Sequence, residues 1–446
     1  MKYFSAKIVL LCVGLASMAT PSWAAEKLTR EEKVRRDKQK VQADGFWIYN
    51  DLDAAIEEAK RTAKPIVVSL RCIPCEECVK LDDDLVDTDP VIRPLLEKFV
   101  CVRIVGTNGL DLNTFQYDTD QSFAIFMINA DRTVYGRFGT RSHRTDWLGD
   151  VSLTGMARAL EKALELHAEY PGNQASLAGK QGQPLEFSSP EQYPSLRSKY
   201  KSQLDHEGDV VKSCIHCHQI GDARRDFYWS QSKPIPEKLL FPFPHPKSIG
   251  LILDPDYPAR VKSVAQGSPA EKSGLLPGDN LTQLAGQPLV SIADVQWVLH
   301  HLEGDSPSVS VELLRGGRTE SSVIQLPEGW RQRDDTSWRV GSWGLSRIAL
   351  GGMRLEPVSE TRSLDLQDQP AGLRVRYVGK YNAHATAKKA GFKKEDVIVR
   401  FDGLADLRRE SDLFAHVSQH RKPGDIVDVE IRREGKTLTL KLPIQE

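Results

Sequence analysis

The residues with the most chemistry in them are the cysteines. Of the seven, Cys12 sits in an N-terminal apolar run, and five of the other six fall in two tight clusters. The first is Arg71-Cys72-Ile73-Pro74-Cys75-Glu76-Glu77-Cys78, and the second is Ser213-Cys214-Ile215-His216-Cys217-His218. Disulfides that staple a fold would be spread along the chain, so clustering points to reactive thiols or to ligands. In the first cluster an apolar run, Ile66 to Leu70, leads into Cys-x-Pro-Cys and then into a predicted helix. A thiol at a helix start feels the positive end of the dipole and unpaired N–H groups, which favour its thiolate. Arg71 adds positive charge in the same direction. Cys72, Cys75 and Cys78 are therefore candidate catalytic residues. The same three thiols could instead hold Cu(I), or close an inert disulfide.

The second cluster contains Cys-x-x-Cys-His, the attachment pattern of c-type haem. In that reading Cys214 and Cys217 add to the haem vinyl groups and His218 ligates the iron from the proximal side, so the expected cofactor is covalent haem c. A zinc site using Cys214, Cys217, His218 and another histidine, or a plain disulfide, would use the same residues. The methionines are Met1, Met18, Met127, Met156 and Met353, so none stands within or shortly after the motif. Met–His ligation is not expected. His245, in Pro-His-Pro, is the candidate distal ligand. Cys101 lies in an apolar strand and reads as a small buried residue.

The elements that must position these groups follow from periodicity. Lys2 and Lys7 precede an apolar run from Ile8 to Ala19, and Ser22 and Ala24 fit small-x-small cleavage, so residues 1–24 read as a signal peptide. The run is short for a membrane span, and no transmembrane anchor is expected after cleavage. An exported, periplasmic chain in an oxidising compartment is implied. Residues 25–45 are charged with little apolar periodicity and read as a helical tether. Over 46–170, helices and short apolar strands alternate, an α/β pattern. Residues 171–245 are rich in Gly, Gln, Ser and Pro at their start and read as a linker carrying the Cys214–His218 segment. Beyond it the chain repeats itself. Gly267-Ser-Pro-Ala-Glu-Lys-Ser-Gly-Leu-Leu-Pro-Gly-Asp279 is echoed by Ala385-Thr-Ala-Lys-Lys-Ala-Gly-Phe-Lys-Lys-Glu-Asp396, which gives two copies of one α+β module, at 246–330 and 338–446. A net charge of -1 implies neither a nucleic-acid partner nor an anionic membrane.

The order helix, strand, Cys-x-Pro-Cys, helix resembles the thioredoxin family over residues 46–170. That resemblance implies Cys72 as attacking thiolate and Cys75 as resolving thiol. The chain departs from the family at Arg71, where Trp is usual, and at Ile66, where a buried acid is usual. Near Ser122 and Phe123 it also lacks the family's proline. The Gly267–Asp279 signature resembles PDZ domains of the bacterial high-temperature-requirement protease type. It implies peptide-binding loops at Ser248-Ile249-Gly250-Leu251 and, in the second copy, at Trp343-Gly344-Leu345. The Gly-Asn-Ser-Gly-Gly catalytic segment of those proteases does not occur here, so proteolysis is not expected. As a whole the order resembles a bacterial family of thioredoxin-like/PDZ proteins and selenoproteins. The expected fold is multidomain, with a thioredoxin-like α/β domain, a short mostly helical haem segment and two α+β PDZ domains. The expected function is thiol–disulfide exchange or electron transfer, with PDZ grooves binding proteins or peptides and thiol/disulfide clients as further partners. The alternatives are an envelope adaptor with structural haem and an inactive thioredoxin fold, or a copper or haem delivery factor.

Overall fold

The computed structural model describes residues 28–71, 89–121, 123–140, 151–334, 336, 339–358 and 372–445. The signal segment and Cys72, Cys75 and Cys78 lie outside the described residues. The first sheet is built on Ile66–Arg71 (β2), a strand with every residue buried, as expected of a strand covered on both faces. Its partners are Ile48–Tyr49 (β1), Val100–Val105 (β3), Phe123–Ile128 (β4) and Val134–Thr140 (β5), in the order β1-β3-β2-β4-β5. β1, β3 and β2 run parallel, while β4 and β5 are antiparallel additions. Alternation along β2 divides the core in two. Val67 faces a cluster with Cys101, Met127 and the helix residues Met156, Leu160 and Ala163. Val68 and Leu70 face the other, with Ala55, Ile56 and Ala59. Asp51 caps the helix Leu52–Thr62 (α2) by accepting from Ala54 N–H at 2.9 Å, and Ser152 caps Leu153–Ala168 (α3) through Gly155 N–H. Cys101 sits in the first core cluster with its thiol directed at Leu96 O, and burial pushes its pKa far up.

Two segments that look loose in sequence are packed. Arg30–Asp44 (α1) is no free tether: Val34 and Val41 are buried, Arg35 donates to Gly208 O at 2.7 Å, and Glu31 accepts from Val211 N–H at 3.0 Å. Two valines seven residues apart give only a narrow apolar stripe, and the remaining contacts are polar, which is why periodicity misses them. The stretch 171–245 is likewise no simple linker. Ile215, Ile220 and Ala223 belong to the same core cluster as α2. Arg224 forks onto Glu186 at 2.9 and 3.0 Å, within a ring of Phe187, Tyr193, Phe227 and Tyr228.

The C-terminal half holds two sheets of similar plan. Leu251–Asp254 (β6), Arg260–Val264 (β7), Asn280–Leu284 (β8), Gln287–Pro288 (β9), Ser308–Arg315 (β10) and Arg318–Gln325 (β11) form the first, in the order β11-β10-β8-β7-β6 with β9 on β8. Met353–Pro357 (β12), Leu373–Val378 (β13), Val397–Phe401 (β14), Ile426–Arg433 (β15) and Lys436–Pro443 (β16) form the second in sequential order. The repetition reaches individual bonds. Arg315 forks onto Asp279 and also donates to Gly274 O, while Arg433 forks onto Asp396 and also donates to Gly391 O. The first hairpin of each copy carries a bulge at the same step, Ile252/Leu253 and Arg354/Leu355.

The first of these modules is fastened to β5. Its helix Ile292–His301 places Asp294 against Lys180 at 2.7 Å, with both side chains almost fully buried. Replacing Asp294 with Ala leaves a buried ammonium and two N–H groups without their acceptor, and should cost about 3–5 kcal/mol. Guanidinium unfolding of the full chain measures this, and a loss under 1 kcal/mol would show that the junction does not bear on stability.

Candidate functional site

β2 ends at Arg71, so Cys72 begins where the central parallel strands of the first sheet stop. Arg71 is 2% exposed and donates from Nη2 to Asp37 Oδ1 of α1 at 2.5 Å. Its charge is thus met by a carboxylate. Asp37 lies in a charged run, and nothing in the sequence singles it out.

The second cluster arrives at the same end of the sheet. Arg71 pairs with Val105, and the next residue, Gly106, donates its N–H to Arg71 O at 3.3 Å. Gly106 turns with φ of +78°, and a Cβ there would lie 3.0 Å from Cys214 Sγ and 3.3 Å from Leu204. The positive φ favours glycine there, and a Cβ would press on the Cys214 sulfur. The docking is bonded on both sides, with Thr107 N–H donating to Ile215 O at 3.0 Å and Ile215 N–H to Asn108 Oδ1 at 2.8 Å. Cys214 is therefore buried, while Cys217 opens the helix Cys217–Trp229 (α4) and is half-buried. The His216 and His218 rings lie parallel with centroids 5.9 Å apart, and His218 Nδ1 is 3.5 Å from Asp222 Oδ2, one helical turn on. Burial alone would raise the Asp222 carboxyl pKa, but His218 and Arg225 outweigh it and hold the carboxyl ionised below its usual range. Asp222 was legible as the i+4 partner of His218. Among the described residues Cys101 and Cys214 are free thiols.

Covalent haem at Cys214 and Cys217 would need the Cys214 thiol, buried as it is folded, to become accessible. The Cys214 thiol is 5% exposed and packed against Gly106. A cavity of about 250 Å³ beside α4 is lined by Ile220, Gly221, Arg224, Phe115, His300 and others, but by neither thiol nor His218. His245 is engaged elsewhere. It caps the turn Pro246–Ile249, its Nδ1 accepting from Lys247 N–H at 3.2 Å. Among the described residues no three His, Cys, Asp or Glu side chains converge on a metal-sized point.

The residues expected to form the peptide loop of the first module adjoin the start of β6. Ile249 ends the turn, Gly250 adopts φ of +81° against Ser268, and Leu251 starts β6, the outermost strand of its sheet. Phe243 from the entering segment stacks on His300, with centroids 4.0 Å apart. The loop proposed for the second module is a correction. Trp343, Gly344 and Leu345 lie in a helix, Ser342–Leu350, which places Trp343 67% exposed and Leu345 buried. By the shared bulge, Gly250-Leu251 corresponds to Gly352-Met353. A Trp-Gly-Leu triplet imitates the loop pattern, but register along the strand places the loop several residues later.

The mixed five-stranded sheet and the two repeated sheets define a thioredoxin-like domain followed by tandem PDZ domains. Comparison with known proteins agrees with this. The thioredoxin-like family matches residues 47–130, and the PDZ domain family matches 248–326 and 352–444, the second match starting at Gly352. A probable periplasmic serine endoprotease, DegP-like, of Pseudomonas savastanoi pv. phaseolicola is 23% identical over 197 residues, 44% of this chain and 39% of that protein. A second DegP-like protein, of Pseudomonas putida, is 25% identical over 195 residues, 43% of this chain and 39% of its own length. The serine protease Do-like HtrB of Bacillus subtilis is 39% identical over 64 residues, 14% of each chain. The matches thus span well under half of these relatives. No helix among the described residues is long and apolar enough to cross a membrane.

The contrast in burial sets an order of thiol reactivity. Native protein treated with iodoacetamide should label Cys217 at least roughly tenfold faster than Cys214, since alkylation follows access and thiolate character. Peptide mass spectrometry reads both sites, and equal rates would mean that the Gly106 contact does not cover Cys214.

Proposed function

We propose that this chain is an exported thiol–disulfide oxidoreductase whose PDZ modules hold it near its protein clients. The observation that carries the reading is that β2, the strand at the centre of the thioredoxin-like sheet, runs through Arg71 directly into Cys72-Ile-Pro-Cys75. Cys72 as thiolate attacks one sulfur of a client disulfide, forming a mixed disulfide and releasing the other client sulfur as a thiolate. Cys75, once deprotonated, attacks the Cys72 sulfur and releases the second client thiolate. Two electrons pass to the client, its two sulfurs take up protons, and Cys72–Cys75 is left as a disulfide. Export is supported by the Met1–Ala24 segment and by the periplasmic setting of the DegP-like relatives.

Replacing Cys72 with Ser should abolish disulfide reduction, read with insulin and dithiothreitol, while Cys101→Ser leaves it intact. Cys75→Ser should accumulate mixed disulfides that a nonreducing gel displays. Equal loss in the Cys72 and Cys101 variants would overturn the assignment.

Covalent haem at Cys214 and Cys217, with His218 as proximal ligand, is the competing use of the second cluster. It requires the Cys214 thiol to leave its place against Gly106. Full-length protein expressed with cytochrome c maturation machinery is expected to give no haem c band in a pyridine haemochrome spectrum. A stoichiometric band would assign the motif to haem instead.

A further inference from the structure

The two PDZ modules differ at the edge where a peptide would add. In the second, β12 is the outermost strand of its sheet, and an outer strand offers its free N–H and C=O groups to an incoming chain. Two of those groups, and the Gly352 N–H just ahead of the strand, are already taken. Met353 O accepts from Ser346 Oγ, Leu355 N–H donates to Glu410 Oε1 at 2.7 Å, and Gly352 N–H donates to Ser346 O at 3.0 Å. Glu410 is the first residue of the helix Glu410–His420, the other wall of the groove. Ser342–Leu350 packs against both β12 and the helix Glu410–His420. Its Leu345, Ile348, Ala349 and Leu350 are buried in one core with Leu413, Phe414 and Val417 of that wall. Arg354 of β12 donates to Ser342 Oγ at 2.9 Å. In the first module the corresponding place, against β6 and the helix Ile292–His301, is taken by the single short 3-10 turn Pro246–Ile249 rather than by a nine-residue helix.

We propose that the helix Ser342–Leu350 is the built-in ligand of the second PDZ groove, which therefore binds an amphipathic helix from its own chain rather than a free C-terminus. The residues that imitate a carboxylate-binding loop in sequence belong to the occupant of the groove. The occupant is anchored from outside the module. Arg339, just ahead of it, meets Asp118 at 2.5 Å and Asp120 at 3.4 Å in the thioredoxin-like domain. Gly341 N–H donates to Asp120 Oδ1 at 2.9 Å, and Gly341 O accepts from Arg225 of the Cys217–Trp229 helix at 3.4 Å. The second groove is thus closed by a segment tied to the domain that carries the thiols. This inference is independent of the redox reading.

Hydrogen exchange of the full-length protein, read by mass spectrometry, tests it. In the wild type the amides of 342–350 and 353–357 should open as one unit, with the same denaturant dependence. The variant Leu345→Asp/Ile348→Asp should lose protection over 353–357 by roughly tenfold or more while 426–443 stays protected. A synthetic peptide of residues 341–350, added to that variant, should restore protection at 353–357. The proposal is overturned if 342–350 exchanges freely in the wild type while 353–357 stays protected. It is also overturned if a folded variant keeps full protection at 353–357, or if the peptide has no effect on the folded variant. Should the double variant unfold, the wild-type comparison alone decides.

Discussion

Asp294 is the point on which the assembly of this chain turns. Its carboxylate is 1% exposed and accepts from Lys180 Nζ at 2.7 Å, Val290 N–H at 2.9 Å and Arg137 N–H at 3.2 Å. A buried charge is tolerable only when its partner and its remaining lone pairs are satisfied, and here they are. The three donors come from the segment after the thioredoxin-like domain, from the first PDZ module itself and from β5. One carboxylate therefore joins three parts of the chain. Arg137 lies over the Trp297 ring at 3.5 Å, and burial lowers its pKa to about 9 despite the nearby Asp294. The outer edge of β5, which would otherwise be an exposed sheet edge, is covered by the PDZ helix.

Such a junction changes what the PDZ modules are in this protein. They do not hang from linkers. The first is pinned along β5 and against α3, where Ser152 and Arg158 donate to the carbonyls of Pro255 and Asp256. The second is reached by the helix Cys217–Trp229, whose far end buries Trp229 in the second PDZ core and donates its Nε1–H to Gln445 O at 2.8 Å. That helix begins at Cys217 and ends in a PDZ core, so the second thiol cluster and the second groove share one rigid element.

The chemistry gathers at one end of the first sheet for a related reason. Parallel strands β2 and β3 stop in register at Arg71 and Val105, and the chain beyond each is free to carry function. One continuation is Cys72. The other is Gly106, which receives Cys214 from more than a hundred residues away in sequence. Cys214 comes to the end of β3 at a glycine, which leaves room for its thiol.

The sequence alone determined the modules and their local signals. Alternation and caps placed α2, α3 and the strands from Ile66 to Asn129, and the Gly-x-x-x-x-Asp signature with its Arg-Gly-Gly or Arg-Glu-Gly closure located both PDZ copies. Those features are local, so spacing is enough to reveal them. Cys101 as a buried thiol also followed from its apolar neighbours. Tertiary structure decided how the modules meet. The pairing of Arg71 with Asp37, the docking of Cys214 on Gly106 and the packing of α1 and of 171–245 join residues distant in the chain, by polar bonds or by isolated apolar contacts that leave no periodicity. The loop of the second PDZ copy was misplaced for the same reason. Trp343-Gly344-Leu345 satisfies a short pattern, but strand register, set by pairing with β13, puts the loop at Gly352 and turns the triplet into part of a buried helix.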